Sequence, residues 1–422
     1  MSPYPPYPPY GGGTMRIYQL VRGLAQRHAI TCLTFAPDLA AERALAPLQR
    51  ICRVIVVRGP RARSLAERAL ATLGTPLPDM AMRNADAGFA AALRGLLATE
   101  RFAVIQAESI EMAPYLLALR GRPAGAPIDR VGGLQPGDAR LVLDQFNAEF
   151  LLQRRAFLAD ARLPRRWAAA GYSLAQWQKL ARYEAHAMRQ CDAVAAVADD
   201  DARALGRLAP NTSFGVVPNG VDTEAFSRVA LARERTGALA FAPDTLVFSG
   251  TLDYRPNVDA LIWFAREVLP RLRARRPALR LLAVGRRPAP AVQQLAAAGA
   301  LTLTGEVADA RPYIAGAGVY VVPMRIGGGV RLKLLEALAL EAPLVSTRMG
   351  AEGVAGLRHG EHCLLADQPA DMAAAIERLL DDRTLAARLS AAGRALVRAS
   401  YDWSAIVPQL EALYQRAGVS AA

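Results

Sequence analysis

Residues 321–347 read VVPMRIGGGVRLKLLEALALEAPLVST. An apolar run that ends at Pro323 has the make-up of a buried strand. Gly327, Gly328 and Gly329 then form a bend open to close approach by another backbone. A helix is expected from near Val330 to about Glu341, followed by a second apolar run, PLVST. A helix that starts after glycines presents unpaired N–H groups and the positive end of its dipole. Arg331 and Lys333 add two full charges at that end, which is unfavourable for the helix alone. A bound anion reverses the sign of that argument. Glu336 follows Lys333 at i, i+3 spacing. The alternative is a surface ion pair beside a plain loop, worth about 0.3 kcal/mol. The coincidence of buried strand, glycine bend and basic helix start favours a diphosphate site.

Outward from this stretch, short apolar runs alternate with helical patterns. Upstream lie AITCLTF (29–35), RVIVVRG (53–59), FAVIQAE (102–108), RLVLDQF (140–146), DAVAAVA (192–198) and SFGVVPN (213–219). A second series comprises TLVFSG (245–250), RLLAVGR (280–286), LTLTGEV (301–307), VYVVPMR (319–325) and PLVST (343–347). The longest helical pattern between strands runs from about Glu149 to Gln190. Strands without polar alternation, separated by helices, predict parallel sheets covered on both faces. The polar segment GVDTEAFSRVALARERTGALAFAPD between the series reads as a linker. The expectation is two Rossmann-like α/β halves: an N-terminal domain over 1–222, a C-terminal domain over 223–400, and a closing helix in 401–422.

The chain has 422 residues, 51 lysines and arginines against 38 acids, and a net charge of +13. Lysine occurs only at Lys179 and Lys333. The arginines are spread through helices and accompany no zinc-finger, RNP-like or helix-turn-helix pattern, so nucleic acid is not expected as a partner. The excess charge reads either as a solvated surface or as a basic face on anionic lipid. Cys32, Cys52, Cys191 and Cys363 are too scattered for a disulfide framework or a zinc cluster and read as reduced thiols. No apolar run is long enough to cross a bilayer, and MSPYPPYPPYGGG lacks the n- and h-regions of a signal peptide. A cytoplasmic protein, peripheral to the inner membrane face at most, is the expectation.

These residues resemble the retaining GT-B glycosyltransferases of family 4, and within it the subgroup whose glycine turn reads GGGTRLK. The resemblance is carried by GGGVRLKLLEALA, PNGVD (218–222), SGTLDYRPN (249–257), TGEVADARPYIAGAGVYVVP (304–323) and LRHGEHCLLADQPADMAAAIERLL. It implies two Rossmann-like domains facing across a cleft and transfer of a sugar from a nucleotide diphosphate sugar to an acceptor hydroxyl. It further implies retention of configuration, no metal and no resident cofactor. The product would be exopolysaccharide or glycolipid. Under the resemblance Glu336 grips the ribose hydroxyls, because a carboxylate accepts two hydrogen bonds from a vicinal diol. Gly328, Gly329, Val330 and Arg331 meet the donor's sugar and phosphates. Gly250 and Thr251 form the turn after the first strand of the C-terminal half. Gly305, Glu306 and Val307 lie near the nucleobase, and Gly11, Gly12 and Gly13 form the N-terminal loop that faces the donor.

The chain departs from that pattern in places. The first glutamate of the family's E-x7-E is Gly328 here. The basic residues expected after the strand-end glycine are Thr251 and Pro256, and Arg331 with Lys333 are expected to supply that charge, and the catalysis, from another direction. The histidine of a D-x-H-N-like run is Phe146. Asp144, Asn147 and Glu149 read equally as acceptor contacts or as caps of the next helix. Asp199, Asp200 and Asp201 precede a helix and read as caps rather than as metal ligands. The resemblance also expects a first strand ahead of PYPPYPPYGGG. That strand is central in a sheet of order 3-2-1-4-5, so lacking it would split the sheet, and a native start further upstream is the expectation. A catalytically silent partner subunit and a sugar-nucleotide epimerase are the other two readings. Sparse histidines speak against the epimerase.

Overall fold

The computed structural model describes residues 1–121, 137–162, 164–234, 242–326 and 330–419. The chain divides into two compact units, residues 1–218 with 406–422, and residues 219–405. Each of the eleven apolar runs forms a strand, and a twelfth lies in CLLAD. In the first unit these are β1 (Thr31–Ala36), β2 (Arg53–Arg58), β3 (Val104–Glu108), β4 (Arg140–Gln145), β5 (Ala193–Ala196) and β6 (Phe214–Val216). In the second they are β7 (Ala242–Ser249), β8 (Arg280–Val284), β9 (Thr302–Leu303), β10 (Ala317–Val322), β11 (Leu344–Ser346) and β12 (Leu364–Leu365).

The second unit is one six-stranded sheet in the order β12-β11-β10-β7-β8-β9, parallel throughout. Counted from the unit's own first strand this is 3-2-1-4-5-6, the doubly wound order. All six residues of β10 are buried, as continuous apolar strands with helices on both faces must be. The chain leaves β7 toward β8 on one side, while β10 flanks β7 on the other. The carboxyl ends of β7 and β10 therefore border the switch point, where such sheets leave a crevice.

In the first unit the strands form a parallel pair, β1-β2, and a parallel four-stranded sheet, β3-β4-β5-β6. Met1 and Ser2 lie between the two. The Met1 amino group donates to Gln106 O at 2.7 Å, and Glu108 N donates to Met1 O at 3.0 Å. On the other side Ser2 N donates to Leu33 O at 2.9 Å, and Ser2 pairs in parallel with Thr34. Two residues thus bridge the two sheets. In the core of this unit the rings of Phe35, Phe89 and Tyr115 pack in sequence in tilted contacts, with centroids 4.5 and 4.6 Å apart.

The long helix expected over 149–190 is broken. It runs as Glu149–Ala161, a single 3-10 turn at Pro164–Arg166, and Trp167–Arg189. Pro164 has no N–H to continue the first helix. The turn is tied instead by Arg166 to Asp160 at 3.1 Å and by Trp167 Nε1 donating to Ala161 O at 3.3 Å. The last helix, Trp403–Arg416, ends with residues that belong to the first unit: Tyr414 donates to Gln106 Oε1 at 2.6 Å, and Glu411 meets His28 at 2.8 Å. Among the described residues no helix is long and apolar enough to cross a membrane.

Candidate functional site

The site is assembled at the carboxyl ends of β7 and β10. Strand β7 stops at Ser249, and Gly250 takes φ +142°, a backbone that side-chain-bearing residues rarely adopt. A Cβ there would lie 2.9 Å from both Asn257 Nδ2 and Lys333 Nζ, so the glycine also makes room for these two groups. Gly285, after β8, brings its Cα against Gly250 O: a Cβ would sit 1.8 Å from that oxygen. The two strand ends are therefore in backbone contact.

Lys333 is in the first turn of the helix Leu332–Ala339. Its side chain folds back to the end of β7, donates to Asn257 Oδ1 at 2.8 Å, and rests 4.0 Å from the centroid of the Phe248 ring. Asn257 is itself fixed, since its Nδ2 donates to Thr251 O at 2.8 Å and the residue is buried in the first turn of the helix Arg255–Trp263. Burial and the nearby Arg331 guanidinium push the Lys333 ammonium down to about 7, against a smaller opposing pull from Glu336. Glu336 is one turn further along. Burial pushes its carboxyl up to about 7, with Lys333 opposing. Both side chains are hemmed in, yet each keeps a partly solvent-accessible edge. Beneath Glu336, Tyr320 shares a 2.5 Å hydrogen bond with Ser249 Oγ, and its phenol is pushed up by burial and by the Glu336 charge.

Among the described residues the Glu336 carboxylate has neither a hydrogen-bond nor an ion-pair partner. Arg331 occupies the N-cap of the helix Leu332–Ala339, where its side chain has no oxygen with which to cap the first N–H groups. Val330 beside it is buried. The N-terminus of this helix is therefore polar and positive, which suits an anion. Gly328 and Gly329 lie outside the described residues.

The other predicted positions fall as follows. Thr251 follows Gly250 and supplies the carbonyl that holds Asn257. Gly305 has φ +72° in the turn after β9. Glu306 is exposed and 3.5 Å from Arg286 of the turn after β8, with Val307 partly buried next to it. These turns all leave the carboxyl edge of one sheet, so the second unit gathers Gly250, Thr251, Gly305, Glu306, Val307, Val330, Arg331, Lys333 and Glu336 there.

In the first unit Gly12 opens the helix Gly12–Leu24, and a Cβ on Gly13 would fall 1.9 Å from the Tyr4 hydroxyl oxygen and 3.1 Å from the Phe146 ring. Packing against Tyr4 is reason enough for that glycine. Asp144 is wholly buried: Arg16 Nε and NH2 reach its two oxygens at 2.7 Å each, and Arg16 NH1 donates to Pro218 O at 3.1 Å. Its oxygens face a guanidinium inside the unit rather than solvent. Asn147 donates to Glu149 Oε1 at 3.1 Å. The cap of the helix Glu149–Ala161 comes from a distant residue, because Glu184 accepts from Glu149 N at 3.0 Å and Phe150 N at 2.9 Å. Burial and Glu111 push Glu149 up to about 7. Tyr4 stands among Glu111, Glu108, Asp144 and Glu149, which together with burial push its phenol up. The sequence reading missed Asn257. Its signal was the break SGTLDYRPN, where an Asn directly after Arg-Pro enters a helix two residues past its start.

Residues 243–382 match the family described as Glycosyl transferases group 1. A protein of Klebsiella pneumoniae, described as an uncharacterized 44.6 kDa protein in the cps region, is 29% identical over 130 residues. That match takes in 29% of this chain and 33% of the relative, so the chain matches about a third of its length. Among solved structures, sucrose-phosphate synthase from Thermosynechococcus elongatus superposes with a TM-score of 0.68 at 20% identity, over 97% of this chain and 94% of that one. Anabaena HepE in complex with UDP gives 0.62 at 15% identity, over 97% of both chains. A glycosyltransferase from Rickettsia africae gives 0.62 at 11% identity, over 97% of this chain and 96% of that one. The chain is an α/β protein of the GT-B fold, and its second unit carries the segment that matches the group 1 glycosyl transferases.

Proposed function

We propose that the chain is a retaining, family 4-type glycosyltransferase that moves a sugar from a nucleotide diphosphate sugar to an acceptor hydroxyl. The observation that carries this is the meeting of Lys333, Asn257 and Gly250 at the switch point of the second unit, one helical turn from a Glu336 carboxylate without a partner among the described residues. The donor diphosphate lies against the N-terminus of the helix Leu332–Ala339, within reach of Lys333 and Arg331. Glu336 accepts hydrogen bonds from the two ribose hydroxyls. Gly305, Glu306 and Val307 border the base.

The chemical barrier is cleavage of the bond between the anomeric carbon and the diphosphate. Charge gathers on the departing phosphate oxygen as that bond breaks. Preorganised positive groups stabilise it more than they stabilise the ground state. Here those groups belong to the protein: Lys333, Arg331 and the helix N–H groups. Lys333 is held ready by Asn257 and so does not have to be reoriented as the charge develops. The match of residues 243–382 to group 1 glycosyl transferases supports the reaction class. The structural relative HepE, solved with UDP and with UDP-glucose, supports a nucleotide sugar as donor. The Klebsiella relative from a cps region supports a role in polysaccharide synthesis.

The test is incubation with UDP-, GDP- and ADP-sugars, measuring nucleoside diphosphate released with and without saccharide or lipid-linked acceptors. Release from one donor, lost in Lys333→Met and Glu336→Ala, is the expected result. Isomerised donor without release would replace the proposal with an epimerase. A folded protein that releases nothing from any donor would replace it with a silent partner subunit.

A further inference from the structure

We infer that the closed end of the helical hairpin formed by Glu149–Ala161 and Trp167–Arg189 is a docking surface for an anionic lipid bilayer. The inference is independent of the donor site. Between Leu152 and Lys179 the chain has six basic residues and a single acid, Asp160. That acid is buried and committed to Arg166 at 3.1 Å. Lys179 points the other way and spends its ammonium on Thr72 O and Thr75 O, at 2.5 and 2.6 Å. Arg162 and Arg165, at the turn itself, are exposed and have no ion-pair partner among the described residues.

Apolar groups crowd the same end. Trp167 is 64% exposed, Leu158 46% and Tyr172 36%. Trp167 Nε1 donates to Ala161 O, which ties the exposed ring to the end of the preceding helix. Tyr172, five residues further along the helix, accepts at its hydroxyl from Arg68 at 3.4 Å. Leaving a tryptophan, a leucine and a tyrosine in water next to uncompensated arginines has a cost that a bilayer surface removes. Aromatic rings settle at the headgroup level, the leucine reaches the acyl boundary, and arginines pair with anionic headgroups. A second copy of the chain fits poorly, because two such tips would bring like charges together. A nucleic acid would use the arginines but leave Leu158 and Trp167 unexplained.

The experiment is co-sedimentation of the full chain with phosphatidylcholine vesicles and with vesicles rich in phosphatidylglycerol. Binding to the anionic vesicles only, weakened by salt, is expected. Arg162→Ser/Arg165→Ser should weaken it about thirtyfold, from about fivefold per arginine near a charged surface. Leu158→Ser/Trp167→Ser should also weaken it and abolish a blue shift in tryptophan emission. All four side chains are exposed, so thermal melts of both variants should match the parent, and the salt titration on the parent gives a reading without any variant. Equal binding to neutral vesicles, binding unchanged in both variants, or no binding at all would overturn the proposal. So would light scattering that shows a dimer dissociated by Leu158→Ser/Trp167→Ser, or tight binding of duplex nucleic acid that anionic vesicles do not displace.

Discussion

Binding of a nucleotide sugar should move protons, and the direction should reverse across neutral pH. In the free protein burial and Arg331 hold Lys333 down to about 7, and burial holds Glu336 up to about 7. At about pH 8 roughly nine-tenths of Lys333 is then neutral, and Glu336 is ionised. A diphosphate placed beside Nζ favours the charged ammonium, so binding should take up most of one proton. At about pH 6 Lys333 is already charged, while roughly nine-tenths of Glu336 is protonated. Accepting hydrogen bonds from both ribose hydroxyls requires the carboxylate, so binding there should release most of one proton. Affinity should therefore peak near neutral pH and fall on either side. The assay is calorimetric titration with UDP-glucose, the donor found with one structural relative, in buffers of differing ionisation enthalpy. The diphosphate diester of that ligand has no proton of its own to exchange in this range. Lys333→Met should abolish the uptake and leave the release, and Glu336→Gln should do the reverse. Uptake that persists in Lys333→Met, or binding without proton exchange at either pH, would refute the assigned contacts.

Other outcomes follow from the same geometry. Gly250→Ala forces a side chain into a φ of +142° and against Asn257 and Lys333. It should cost about 1–3 kcal/mol of stability, read as a fall in Tm, and should weaken nucleotide binding by displacing Lys333. Asp144→Ala removes the carboxylate that compensates the buried Arg16 and should destabilise by about 3–5 kcal/mol, measured by denaturant unfolding. Replacing both partners, as Arg16→Met/Asp144→Leu, should restore much of that loss, because it is the uncompensated charge that is costly.

The fold was legible because parallel strands buried on both faces leave unbroken apolar runs. AVAA in β5 and AGVYVV in β10 are cases in point, and every such run became a strand. The candidate site was legible where it rests on local pattern, in the basic helix start and Glu336. What was hidden depends on distant partners. Nothing near Lys333 says that its ammonium reaches Asn257, 76 residues earlier. Nothing near Asp144 says that Arg16, 128 residues away, takes both its oxygens. The cap of the helix Glu149–Ala161 was sought among Asp144, Asn147 and Glu149, but it comes from Glu184, a helix later. The break at Pro164 could have been read, since proline inside a helical pattern ends it.

The measurement that bears most directly on a nucleotide-sugar site in the second unit is a thermal-shift panel of UDP, GDP, ADP and CMP on the parent chain and on Glu336→Ala. One nucleoside diphosphate should raise the Tm of the parent, by about 2.7 kcal/mol of stability at a hundredfold excess over Kd, and leave Glu336→Ala unmoved. A parent that no nucleotide stabilises, or a Glu336→Ala variant stabilised as much as the parent, would contradict it.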